Sequence, residues 1–402
     1  MRTTTTRRAA TAALATLALV ASACGSDDGD DVADTIEEAT DDAVSDAEDV
    51  ADTLDEAAQD ALDDAEDVAD TLDEAAEDAV DDAEDVANTL DEAVDETVDE
   101  VTGDGETVRI GIVAPSASND LAFTQSIVDS VNRVAEERDI EIAITDGAFV
   151  VEDAAAAIRG YAEDGFDLVL AHGSQYGGPL EEIAPEFPDT AFAWGTSVDT
   201  FGLDNVFAYT TRADEGGYVN GVMAAQLTES GTIGVVGPIE VGDAKLYVDG
   251  FVNGVADQAP DVTVNVNYIE SFSDVALASE AANAQVSNGA DVLTGTAQMV
   301  VGATGVATDA GIPWFGTQSN QTPLAPDLTV ASQVYHWEVV LDEILDSMAA
   351  GTLGGETFTL TFENGGLEME YNDGYALADD VRASADAAVA GIVDGSVSTG
   401  VE

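Results

Sequence analysis

The chain has 402 residues, one cysteine, two histidines and a formal charge of −73 at neutral pH. That length accommodates one large or two ordinary domains. Charge of this sign repels phosphate backbones and removes the attraction on which nucleic-acid binding depends. One thiol and two imidazoles exclude a disulfide scaffold and a zinc site built from nitrogen and sulfur ligands.

Arg2, Arg7 and Arg8 precede an apolar run from Ala9 to Ala21, followed by Ser22, Ala23 and Cys24. The run is shorter than the ~20 residues that span a bilayer, so residues 1–23 read as a signal peptide. Small residues ahead of a lone cysteine resemble a lipoprotein cleavage box, which makes Cys24 the expected site of lipid attachment and 24–31 a lipidated linker. The expected location is then the cell surface, lipid-anchored to the outer face of the cytoplasmic membrane. Cleavage after Ala23 without lipid, giving a soluble secreted protein, is the competing reading. The Arg7-Arg8 pair leaves Sec and twin-arginine export both open.

A repeat occupies 32–101: Val32, Val50, Val68 and Val86 are each followed four residues later by Ile36, Leu54, Leu72 and Leu90. Eighteen residues make about five turns of a straight α-helix, so each repeat returns to the same face. Val50, Leu54, Ala57, Ala61, Ala65 and Val68 form one apolar stripe, and carboxylates cover the rest. A continuous helix here would reach about 105 Å at 1.5 Å per residue, the length of a stalk or spacer. Asp27 to Glu100 holds 35 acids and no base, and repulsion between like charges at i and i+4 opposes that helix in dilute buffer. A disordered acidic linker and self-association along the stripe as a coiled coil remain alternatives. Thr107 to Glu402 adds 46 acids against 7 bases, with Lys245 the one lysine in the chain, the balance of a surface adapted to molar salt.

After a break at Thr102–Glu106, strand and helix patterns alternate. Strands are expected at Val108–Ala114, Glu141–Thr145, Leu168–Ala171, Ala191–Trp194, Thr232–Val236, Val262–Ile269 and Val292–Gly295. Helices are expected at Phe123–Glu137, Ala154–Glu163, Glu215–Thr228, Lys245–Gln258 and Val275–Asn288. This rhythm predicts an α/β fold of two parallel-sheet lobes, lobe 1 at about 107–210 and 331–350, lobe 2 at about 211–329. Phe358–Phe362 and Leu367–Tyr371 flank Asn364-Gly365-Gly366 and read as a hairpin within 352–402, with a helix following at Ala376–Val393.

Ligands in open α/β sheets sit beyond the carboxyl ends of the strands. The informative loops are Ser116–Phe123, His172–Gly178, Thr317–Gln321 and Tyr335–Trp337, which supply aromatics, amides and one carboxylate with little catalytic equipment. Such walls suit an uncharged polar ring. Candidate ligand-binding residues are Asn119, Asp120, Phe123, Ser174, Tyr176, Trp194, Phe272, Gln298, Gln318 and Trp337. His172 and Ser174 share a loop without a Gly-x-Ser-x-Gly elbow, so serine hydrolysis has little support. No phosphate-cradling loop, dinucleotide fingerprint or metal cluster is present in the sequence, and neither a cofactor nor an enzyme activity is expected. Lys245 reads as an ion-pair partner.

From about Val108 to Ala350 the residues resemble the basic membrane protein family, substrate-binding lipoproteins of nucleoside-type ABC importers. Asp120-Leu121-Ala122-Phe123-Thr124-Gln125 occupies the place of the family's Asp-x-Ser-Phe-Asn-Gln motif. Glu215–Ala225, Asp249–Val255, Ser271–Asp274 and Gly289–Val292 are similar to further family stretches. The resemblance implies a two-lobed periplasmic-binding-protein type I fold, with the ligand between lobes that close by motion at a hinge. It implies that Asp120 accepts hydrogen bonds from a base edge, that Phe123 stacks on the ring, and that Phe272 closes the opposite face, with core packing as the competing role for each phenylalanine. Where nucleoside-binding relatives carry Gly-Val-Asp-x-Asp-Gln, this chain has Gly316-Thr317-Gln318-Ser319-Asn320-Gln321, without the sugar-binding carboxylate. Ala325-Pro326-Asp327 and Tyr335-His336-Trp337 resemble the branch that binds free nucleobases. The implied partners are a nucleoside or nucleobase and an ABC permease. A surface sensor or structural stalk protein is the alternative function.

Overall fold

The computed structural model describes residues 107–401, all within the unit Asp104–Glu402. The signal peptide, Cys24 and the acidic repeat lie outside the described residues. The chain opens with β1 (Val108–Val113), α1 (Phe123–Glu137), β2 (Ile140–Thr145), α2 (Val151–Glu163), β3 (Leu168–Ala171), α3 (Gly177–Ile183), β4 (Ala191–Gly195) and β5 (Val206–Thr211). It continues through α4 (Ala213–Leu227), β6 (Thr232–Gly237), α5 (Gly242–Gln258), β7 (Thr263–Tyr268), α6 (Val275–Ser287), β8 (Leu293–Gly295), α7 (Val300–Ala310), β9 (Trp314–Gln318) and β10 (Thr329–Tyr335). The last elements are α8 (Glu338–Ala349), β11 (Thr357–Leu360), β12 (Leu367–Tyr371) and α9 (Asp379–Val393).

These strands build two six-stranded sheets, ordered β11-β5-β4-β3-β1-β2 and β12-β10-β9-β8-β6-β7. Every pairing is parallel except β10 with β12. Central strands such as β3, with the sequence Leu-Val-Leu-Ala, are buried on both faces because helices cover both sides of a parallel sheet, whereas the edge strand β2 is only half covered. The two parallel-sheet lobes predicted from the sequence are the fold.

Two sequence readings change. Residues 331–335 belong to the second sheet, since β10 pairs with β9 and β12; the chain returns to the first lobe only at α8, which packs on α1 and β11. The expected hairpin at 358–371 does not form. Its halves separate: β11 extends the first sheet beside β5 and β12 extends the second beside β10. Each sheet otherwise presents an unpaired edge there, and pairing both edges satisfies more backbone than joining the two strands to one another. The chain therefore crosses between lobes three times, at Thr211–Ala213, Tyr335–Glu338 and Leu360–Leu367.

Glycine sets the packing of the second lobe. A Cβ at Gly217 or Gly221 of α4 would strike the carbonyls of Tyr247 and Phe251, and one at Gly250 or Gly254 of α5 would strike those of Asp214 and Tyr218. The two helices thus touch backbone to backbone. The family-like stretches Glu215–Ala225 and Asp249–Val255 are this contact.

Candidate functional site

A cavity lies between the lobes, and its walls come from the segments that follow eight strands. The first lobe contributes Pro115 and Phe123 after β1, Phe149 after β2, Gly173, Ser174 and Gln175 after β3, and Thr196 after β4. The second contributes Val241, Gly242, Asp243 and Ala244 after β6, Phe272 after β7, Ala297 and Gln298 after β8, and Gln318 at the end of β9. Parallel strands point their carboxyl ends at one rim, so the topology of both sheets delivers these loops to one crevice. The space within is about 30 Å³.

Five of the ten residues expected from the sequence meet there: Phe123, Ser174, Phe272, Gln298 and Gln318. Phe123 opens α1 and is backed by His172, the rings stacked with centroids 4.0 Å apart and an interplanar angle of 16°. His172 is fully buried, and burial pushes its pKa down to about 3, so the ring is neutral. Its Nε2 lies 3.3 Å from the Phe123 carbonyl, which only accepts; Nε2 therefore carries the proton and Nδ1 accepts from the Tyr209 hydroxyl at 2.8 Å. Both nitrogens are occupied away from Ser174, which leaves no base for a serine nucleophile. His172 braces the phenylalanine.

The other five sit elsewhere. Asp120 does not line the cavity; its carboxylate accepts from the Ser116 hydroxyl at 2.6 Å and from the backbone N–H groups of Ala122, Thr124 and Gln125 at 2.9, 3.1 and 3.1 Å. The first turn of α1 has free N–H donors and a positive dipole end, and the nearest carboxylate satisfies both. Asn119 is exposed beside it. Tyr176 is buried in the first-lobe core and donates to the Ala148 carbonyl at 2.8 Å. Trp194 donates to the Gly173 carbonyl at 3.1 Å and stacks on Phe201. Trp337 is buried at a crossover, its Nε1–H donating to the Ser126 hydroxyl at 2.9 Å. In each case an indole or phenol found an internal partner, as buried Trp and Tyr do.

Asp243, in the first turn of α5, is the residue that sequence reading missed. It is buried, and its Oδ2 lies 3.5 Å from the Gln318 side-chain nitrogen. Burial pushes its carboxyl up to about 6. No motif announces it; a lone Asp after Gly reads as an ordinary helix start, and only the second lobe's approach to the first encloses it. Of the segment Gly316–Gln321, Gln318 alone faces the cavity, with φ of 76° and a buried Oε1 that has no hydrogen-bond partner. Ser319 bridges the lobes, donating to the Ala122 carbonyl at 2.8 Å. Lys245 is an ion-pair partner, held by Asp249 at 2.6 Å and Glu240 at 3.3 Å.

The family model described as ABC transporter substrate-binding protein PnrA-like matches residues 107–388. A purine-binding protein of Brucella abortus is 29% identical over 239 residues, which cover 58% of this chain and 66% of that protein. A Haloferax volcanii protein named for glucose binding in an ABC transporter is 26% identical over 263 residues, 65% of this chain and 66% of its own length. The chain thus spans just under two thirds of both relatives. A solved ABC transporter solute-binding protein from Conexibacter woesei superposes with a TM-score of 0.61 at 24% identity, covering 72% of this chain and 98% of the other, a likeness of fold. No helix among the described residues is long and apolar enough to cross a membrane. With residues 107–388 matched across both lobes, the chain belongs to the PnrA-like ABC transporter substrate-binding family, a family of solute-binding proteins rather than enzymes.

Proposed function

We propose that this protein is the extracytoplasmic receptor of an ABC importer, capturing a flat nitrogen heterocycle of the purine base or nucleoside type between its lobes and presenting it to a membrane permease. Cys24 carries the lipid that holds it at the outer face of the cytoplasmic membrane, and residues 32–101 space the receptor from that surface. One observation carries the reading: phenylalanines from opposite lobes, Phe123 and Phe272, line a single cavity whose other walls combine apolar side chains such as Phe149 and Val241 with amides, hydroxyls and one carboxylate. Aromatic faces cover a planar ring with large contact area, and the polar groups select its edge. The name of the Brucella relative points the same way.

The name of the Haloferax relative favours a sugar as the second reading, since carboxylate and amide acceptors also bind hydroxyl groups. Thermal unfolding in molar salt separates the two. Purines and their nucleosides should raise the midpoint, because a ligand at a hundred times its Kd stabilises the protein by about 2.7 kcal/mol. Glucose alone raising it would transfer the assignment to sugars. Silence across the panel would favour a sensor or stalk protein with a degenerate cleft.

A further inference from the structure

Asp243 is the one charged side chain among the residues that line the interlobe cavity. It is 8% exposed, and its partners within the protein are backbone N–H groups at the start of α5 and the long 3.5 Å approach of the Gln318 amide. Gln318 is itself 2% exposed, lines the same cavity, and has a buried Oε1 without a hydrogen-bond partner. Lys245, two residues further along α5, is held by Asp249 and Glu240. The cavity therefore offers two acceptors and a negative charge with no protein cation beside it, in a lining that includes Phe123, Phe149 and Phe272.

A buried ion without a counter-ion is unfavourable, and aromatic faces attract positive charge most strongly where water is excluded. The geometry points to a guest that supplies the missing charge: an organic cation, namely a flat nitrogen heterocycle that is quaternised or protonated, lying against phenylalanine with its positive side toward Asp243. This inference rests on the cavity being the heterocycle site proposed above, and narrows it from neutral rings to cationic ones. A neutral ring of the same shape offers the carboxylate hydrogen bonds but no charge.

Calorimetric titration of the full chain in about 1 M salt tests it, since at a Debye length of ~3 Å the general field of an acidic protein is screened while a buried pair is not. The probes are 1-methylnicotinamide and its neutral counterpart nicotinamide, with adenine and hypoxanthine as neutral purines. The expected result is binding of 1-methylnicotinamide at least tenfold tighter than nicotinamide, falling to within twofold in Asp243→Asn, a variant whose folding is checked by its melting midpoint. Equal or tighter binding of the neutral partner, or a preference that survives Asp243→Asn, overturns the inference. Binding of adenine or hypoxanthine without the cation overturns it while leaving the heterocycle receptor intact. If none of the four binds, the inference falls, and the nucleosides of the thermal-unfolding panel decide the heterocycle reading separately.

Discussion

Replacing Asp243 by asparagine should make the unliganded protein more stable. Burial pushes this carboxyl up to about 6, against an ordinary aspartate value near 3.9. A tenfold change in proton affinity is worth 1.36 kcal/mol, so holding the charge in the folded protein costs about 3 kcal/mol at pH 7 and above. The sign follows from proton counts. Between about pH 4 and 6 the folded protein keeps a proton that the unfolded chain has released, so stability on this account falls as pH rises through that window and is level above it. Asparagine carries no charge at any pH, and the variant should gain about 3 kcal/mol at pH 7.5 and nothing at pH 4. His172 works in the opposite sense: burial pushes it down to about 3, so stability is lost as pH falls below about 6.5. The difference between wild type and variant cancels that contribution and isolates Asp243. Urea unfolding of both proteins from pH 4 to 8 in molar salt measures it. A variant no more stable at pH 7.5, or a gain that persists at pH 4, would refute the reasoning.

Asp120→Ala should lower stability by roughly 1–2 kcal/mol, because it strips acceptors from the first turn of α1; the matching check is that guest affinity drops far less than in Phe272→Ala. Gly221→Ala should destabilise the second lobe by about 1–3 kcal/mol, since the added methyl group meets the Phe251 carbonyl on a rigid helix, and denaturant unfolding reads this directly. A peptide covering residues 32–101 should gain helical circular dichroism as salt rises to molar levels; an unchanged spectrum would remove the stalk reading.

The lobes were legible because parallel strands buried on both faces announce themselves as short apolar runs, and helices such as Phe123–Glu137 carry a plain amphipathic stripe. β5 (Val-Phe-Ala-Tyr-Thr-Thr) went unread, and α7 was hidden by its composition: valines, threonines and glycines of low helix propensity, stabilised by packing of Gly302 against α6. The site was half legible. Phe123, Ser174, Phe272, Gln298 and Gln318 follow strand ends and could be placed by position, whereas residue type alone cannot say whether a polar group is already satisfied. Asp120 and Trp337 have the right chemistry for ligand contact, yet a helix end and a serine hydroxyl claim them first. Asp243 also starts a helix, and its place in the wall of the interlobe cavity is visible only in three dimensions.

The rim of the cavity is also where the backbone is held in unfavourable conformations. Non-glycine residues with positive φ include Thr196, Ala297 and Gln318, which line the cavity, and Leu121 and Glu270, each two residues from Phe123 or Phe272. A β-branched residue such as Thr196 at φ 59° is disfavoured by clashes of its own side chain, and such strain persists where surrounding structure enforces it. The space enclosed, about 30 Å³, is room for about one water and far less than a purine ring requires. A guest can enter only if the lobes part, and the three crossovers are the segments whose dihedral angles can absorb that motion. Opening breaks the Ser319 to Ala122 hydrogen bond, a contact that joins the lobes in the closed form. Under the proposed function, a guest that satisfies Asp243 and Gln318 would stabilise the closed form further and so couple occupancy to closure.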